Sequence, residues 1–184
     1  MEEYEMEPVT ESGVFTKEDE ASLLALVADW ADQNGWETDW GECEELQNIV
    51  LRLGIPRLGK AESSVVAELS FLHPASANEK FVVAQIVASL FMEIPQENQG
   101  EVGKACLRTN RYTLVGSFGT RDSMLYYRHN LLLRPDFTYA DCAQMLVDGL
   151  INLSQTIDAT IDGFALVGRG VETVESAVEK GYLD

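Results

Sequence analysis

The stretch KFVVAQIVASLFMEI, residues 80–94, limits what this chain can fold into more than any other. Val82, Ala84, Ile86, Ala88, Leu90, Met92 and Ile94 are all apolar, while Gln85, Ser89 and Glu93 fall in the other phase. Successive strand side chains point to opposite faces, so a period of two over seven positions predicts a long antiparallel strand with one buried face. Pro95 offers no amide proton to a ladder and ends the run.

The rest of the chain supplies neighbours for that strand. Thr16 can cap a helix over 16–34, with Glu18, Asp19 and Glu20 at its positive end and Leu23, Leu24, Leu26, Val27 and Trp30 on one stripe. Asn34-Gly35 stops it. Strands are predicted near 36–40, over 46–55 with Ile49, Leu51 and Leu53 on one face, and over 63–72, with a loop from Pro56 to Lys60. A short helix over 99–109 turns Val102, Cys106 and Leu107 inward. A hairpin follows, with strands at about 112–119 and 123–133 about the turn TRDS. Thr138 caps a long helix, to about Leu166, whose stripe is Cys142, Leu146, Leu150, Leu153, Ile157, Ile161 and Phe164. The order α-β-β-β-β-α-β-β-α predicts a two-layer α+β fold with a twisted antiparallel sheet. Residues 1–13 read as a flexible acidic tail, 14–167 as a single domain, and 168–184 as a C-terminal extension with room for a short helix.

Charge is unevenly spread. The net charge is -18, which disfavours nucleic acid and anionic membranes and favours basic or neutral polar partners. Residues 1–45 hold fifteen acids against Lys17, whereas residues 98–135 hold Lys104, Arg108, Arg111, Arg121, Arg128 and Arg134 against Glu101 and Asp122. No apolar run approaches a membrane span. The opening MEEYEMEPVTESG has no basic region followed by an apolar one, so it does not read as a signal peptide. Cys43, Cys106 and Cys142 are odd in number and widely separated, which suits a reducing cytoplasm better than disulfides or zinc.

Several motifs invite a chemical reading and fall short of it. GIPRLGKA, Gly54 to Ala61, follows the phosphate-loop spacing but has Ala61 where magnesium needs a hydroxyl, and a strand follows where a helix is required. GSFG at 116–119 lacks the first glycine of a nucleophile elbow. His73 precedes Pro74 in a loop, and His129 lies within a strand. A Cys106–His129 pair has no third residue to orient it. Cys43, Glu44 and Glu45 make a poor metal cluster, and no cofactor is expected. Tyr126 and Tyr127 must point to opposite faces of their strand, one to the core and one, beside Arg128, to a surface able to meet a partner.

A succession of features in residues 80–165 resembles a known family. It comprises a long strand ending at FMEIP, a short helix and exit in ACLRTNRYTLVGSFGT, the strand pair LVGSFGTRDSMLYYRHNLLL, and the capped helix TYADCAQMLVDGLINLSQTI. In these the chain resembles the type III secretion chaperones and the related YbjN-type sensory transduction regulator proteins. That resemblance implies an α-β-β-β-α-β-β-α domain, often a homodimer, acidic, cytoplasmic and without enzymatic activity; the secretion chaperones hold an extended segment of a client, and the YbjN-type members act as regulators.

The expectation is therefore a non-enzymatic protein- or peptide-binding protein, chaperone-like or regulatory. Its partner contacts are expected at Arg108, Arg111, Tyr126 and Arg128, with the helix over 99–110 as the dimer or partner surface. The alternatives are a small enzyme using a Cys/His pair or a cryptic phosphate site, or a structural subunit of a larger complex.

Overall fold

The computed structural model describes residues 15–43, 48–73, 81–90 and 93–183. Expectations for the tail over 1–13, for Glu44 and Glu45, and for Met92 lie outside these residues, as does the side chain of Cys43. The fold is α+β. In chain order the elements are α1 (Lys17–Gln33), β1 (Glu37–Cys43), β2 (Asn48–Leu58), β3 (Ser63–Leu72), β4 (Val82–Ser89), a 3-10 turn (Gln96–Asn98), α2 (Gln99–Thr109), β5 (Ser117–Arg121), β6 (Met124–Leu133), α3 (Tyr139–Gly168) and α4 (Val174–Glu179). The six strands form one antiparallel sheet in the order β1-β2-β3-β4-β6-β5, so β6 returns to pair with β4 and leaves β5 at an edge. The alternation that predicts β4 appears as strict burial of Val82, Ala84, Ile86 and Ala88. The chain divides into two compact units, one of Met1–Leu53, Glu68–Ile86 and Asn130–Leu150 and one of Gly54–Ala67, Val87–His129 and Ile151–Asp184.

In the first unit, α1 starts on a reciprocal capping box. The Asp19 amide donates to Thr16 Oγ1 at 3.2 Å, and the Thr16 amide donates to the Asp19 carboxylate at 2.7 Å. Leu23, Leu24, Val27 and Ala31 form the buried stripe, and Asn34 with Gly35 at φ +75° closes the helix. Burial of each such leucine or valine is worth about 1.5–3 kcal/mol. The Tyr139 hydroxyl, at the start of α3, donates to Asp19; burial first, then the Asp19 carboxylate, pushes its phenol up to about 12. Thr138 and Asp141 repeat the capping box for α3, the Asp141 amide donating to Thr138 Oγ1 at 3.0 Å. Ile49 departs from its expected place. It is 43% exposed, because burial in β2 passes through both Val50 and Leu51 and so changes phase between them.

In the second unit, Phe118 of β5 packs between Tyr127 of β6 and Phe164 of α3, with ring centroids 4.8 and 4.7 Å apart. Leu125, Leu153, Ile157, Val102 and Ala105 complete that core. β4 ends sooner than its pattern predicts, at Ser89. Beyond it the Leu90 amide still donates to the Leu125 carbonyl and the Ile94 amide to that of Ser123. β2 runs on through Pro56 to Leu58, so the loop between β2 and β3 begins at Gly59 rather than Pro56. β5 begins at Ser117, not near 112, because Gly116 turns through φ +74°. The turn after it is as tight as TRDS predicts. Asp122 and Ser123 both have positive φ, as a two-residue hairpin turn requires. Leu107, expected inside, is 70% exposed; α2 buries Val102, Ala105, Cys106 and Thr109 instead.

Candidate functional site

The junction between α2 and β5 builds the most site-like feature of the second unit. α2 ends at Thr109, and the chain then makes one further turn, the amides of Asn110, Arg111 and Tyr112 returning to Cys106, Arg108 and Thr109. The Asn110 side chain spans the exit. Its Nδ2 donates to the Phe118 carbonyl at 3.0 Å, and its Oδ1 accepts from the Phe118 amide at 2.8 Å. An antiparallel neighbour would offer the same donor and acceptor, so Asn110 occupies one backbone position along the open edge of β5.

Between those two anchors the chain arches outward. Leu114 is 97% exposed at the tip, with Tyr112 61% exposed and Val115 also at the surface. The arch is pinned from below: the Thr113 hydroxyl donates to the Thr109 carbonyl at 3.0 Å, and the Tyr127 hydroxyl donates to the Val115 carbonyl. Burial raises the Tyr127 phenol above its ordinary value. The arch and α3 enclose a cleft of about 300 Å³, lined on one side by Thr109, Tyr112, Thr113, Leu114 and Val115. The facing wall is Asn152, Gln155, Thr156, Ala159 and Thr160. None of these ten side chains is charged. Thr156 and Thr160 donate their hydroxyl protons to the carbonyls of Asn152 and Thr156, at 2.7 and 2.8 Å, so the lone pairs of those hydroxyls are what a ligand would meet.

Arg108 and Arg111 stand close to Thr109 in the chain but do not line the cleft; Arg108 is half-buried and Arg111 exposed, and Arg111 makes no ion pair among the described residues. Tyr126 and Arg128 lie elsewhere. They alternate with Tyr127 and so occupy the opposite face of β6, Tyr126 opposite Gly119 and Arg128 opposite Ser117. None of the four expected residues lines the cleft, and Tyr126 and Arg128 lie on another face. Thr109, Tyr112, Leu114 and the α3 wall are additions that the sequence did not single out. The one available signal was Gly116, which marks where the strand pattern breaks.

The chemical candidates resolve differently. The Cys106 thiol is buried and pushed up to about 11, so it is protonated near neutral pH rather than poised as a thiolate. His129 is buried within β6. In the loop that follows the phosphate-loop spacing, the amides of Gly59 and Lys60 donate to Asp158 at 2.8 Å and Asp162 at 2.6 Å, two carboxylates of α3. The positions where phosphate oxygens would sit already receive anions of the protein itself. Among the described residues no group of His, Cys, Asp or Glu is placed to hold a metal, and no helix is long and apolar enough to cross a membrane. No protein-family model matches this chain, and no curated protein matches it either.

Proposed function

We propose that this chain is a non-enzymatic protein- or peptide-binding protein, chaperone-like or regulatory, that works as a cytoplasmic homodimer. The observation that carries the reading is the arch at 112–115. It holds three apolar side chains in solvent beside an uncharged, hydrogen-bonding wall, and exposed apolar groups rimmed by polar ones are the usual mark of an interaction surface. Its rigid pinning by Tyr127, Thr113 and Asn110 lowers the entropy cost of meeting a partner. The succession from β4 through α2 and the hairpin to α3 has the order of the secretion-chaperone-like domains that the sequence resembles. Leu107, exposed on α2 beside the open positions of Gly100 and Gly103, supports α2 as the surface joining two copies.

Panning a random peptide library displayed on phage tests the partner site. The wild-type chain should enrich a shared motif, and Leu114→Asp should lose that enrichment while melting within about 1 °C of wild type, since the side chain touches almost nothing. Equal enrichment by both chains sinks the reading. For the dimer, Arg108→Glu with Arg111→Glu should lower the mass seen by light scattering and leave the fold intact.

A further inference from the structure

Thr109 is 3% exposed, and its Oγ1 has no hydrogen-bond partner among the described residues. A buried hydroxyl without a partner works against folding, and valine would fill the same space without that cost. The residue lies in the lining of the cleft. Threonine in a helix has two comfortable χ1 rotamers, so a single rotation can carry the hydroxyl toward the opening. Its neighbours Thr113, Thr156 and Thr160 have committed their protons to backbone carbonyls. Those threonine hydroxyls therefore offer acceptors, the complement of a ligand's N–H groups, while the Gln155 amide and the Tyr112 hydroxyl can donate as well as accept.

Charge narrows the occupant further. The net charge of -18 repels an acidic one at long range. A charged group of either sign would give up water in the cleft without meeting a counter-charge. The lining itself is uncharged. We propose that the cleft takes an extended, uncharged segment of a partner polypeptide, recognised through its main-chain N–H groups, with Thr109 as an acceptor and one apolar side chain lodged against Tyr112 and Val115. This rests on the cleft being the partner site and adds the chemistry by which it selects.

The probe is acetyl-Ser-Leu-Ser-Leu-Ser-amide, titrated into the full chain and followed by amide chemical shifts. Shifts should cluster at 109–115 and 152–160. Thr109→Val should weaken binding about tenfold, one hydrogen bond's worth, without lowering the melting temperature. Methylating the central peptide nitrogens should abolish binding, and replacing the serines by glutamate or by lysine should weaken it. Thr109→Val or the methylated peptide binding as well as the parent would overturn main-chain recognition. Should library peptides still depend on Leu114 in that case, the partner site survives without this chemistry. If no peptide shifts the arch and the library enriches nothing that depends on Leu114, both readings fail together. A mass by light scattering that falls on Leu114→Asp would make a second copy the occupant and also overturn the proposal.

Discussion

Removing the Asn110 side chain unseals an edge. In Asn110→Ala the Phe118 amide and carbonyl lose partners at 2.8 and 3.0 Å. Phe118 is 4% exposed, so its backbone has limited access to replacement water. At a net ~1 kcal/mol per hydrogen bond the pair is worth about 2 kcal/mol, rising to about 6 kcal/mol if both groups stay dry and unsatisfied. For a chain of this size, about 2 kcal/mol corresponds to a melting temperature lower by about 4–8 °C. Asn110→Asp keeps the acceptor and loses the donor, so it should fall between wild type and alanine. The edge itself is a second readout. With Phe118 unpaired, β5 can template another strand, so the mass of Asn110→Ala should rise with concentration more steeply than that of wild type. A variant that melts within about 1 °C of wild type and keeps its mass would refute the claim that Asn110 seals the strand.

Two other outcomes follow from the second unit and the buried thiols. Gly59 sits at φ +68°, and a Cβ there would lie 2.6 Å from Ile161 Cγ2, so Gly59→Ala should strain the turn, loosen its grip on Asp158 and Asp162, and cost about 2–4 kcal/mol in urea unfolding. Stability should also fall in alkali. Burial raises Cys106 from 9.0 to about 11, and burial with Asp141 raises Cys142 to about 12, so the folded chain holds those protons more tightly than the unfolded one. Their contribution is complete below pH 9 and is lost as pH rises through 11 and 12, with a slope of about 1.4 kcal/mol per pH unit for each thiol. Urea midpoints at pH 8, 9.5 and 11 should decline in that order, and Cys106→Ala should flatten the decline.

What could be read before folding was what neighbours along the chain decide. The caps at Thr16 and Thr138, the alternation through Val82 to Ala88, the α3 stripe and the TRDS turn each depend on a few adjacent residues, and each is present. What escaped was decided by partners far away. Leu107 and Cys106 are equally plausible inward residues on a short helix, and only the packing of α2 onto β5 and α4 selects between them. Ile49 followed a strict alternation that the phase change in β2 interrupts. The phosphate-loop spacing around Gly59 fails on Ala61 and on the strand that follows it. The loop's two amides are held by carboxylates about a hundred residues later, which no local pattern reveals. The arch at 112–115 read as the start of a strand because Tyr112, Leu114 and Val115 are good strand residues. Gly116 and the Asn110 bridge override that preference.

The paired tyrosines of β6 do more than fill space. Tyr127 lies over Gly116 and Tyr126 over Gly119, where a Cβ would come within 2.4 and 2.5 Å of the respective hydroxyls. Each ring needs a missing side chain beneath it, on opposite faces of one short hairpin. Sliding β5 by a residue would press Tyr126 against Phe118 or Thr120 and leave Tyr127 without its notch. The two rings act as a key whose teeth fit one alignment, and that alignment sets how far Leu114 stands from α3.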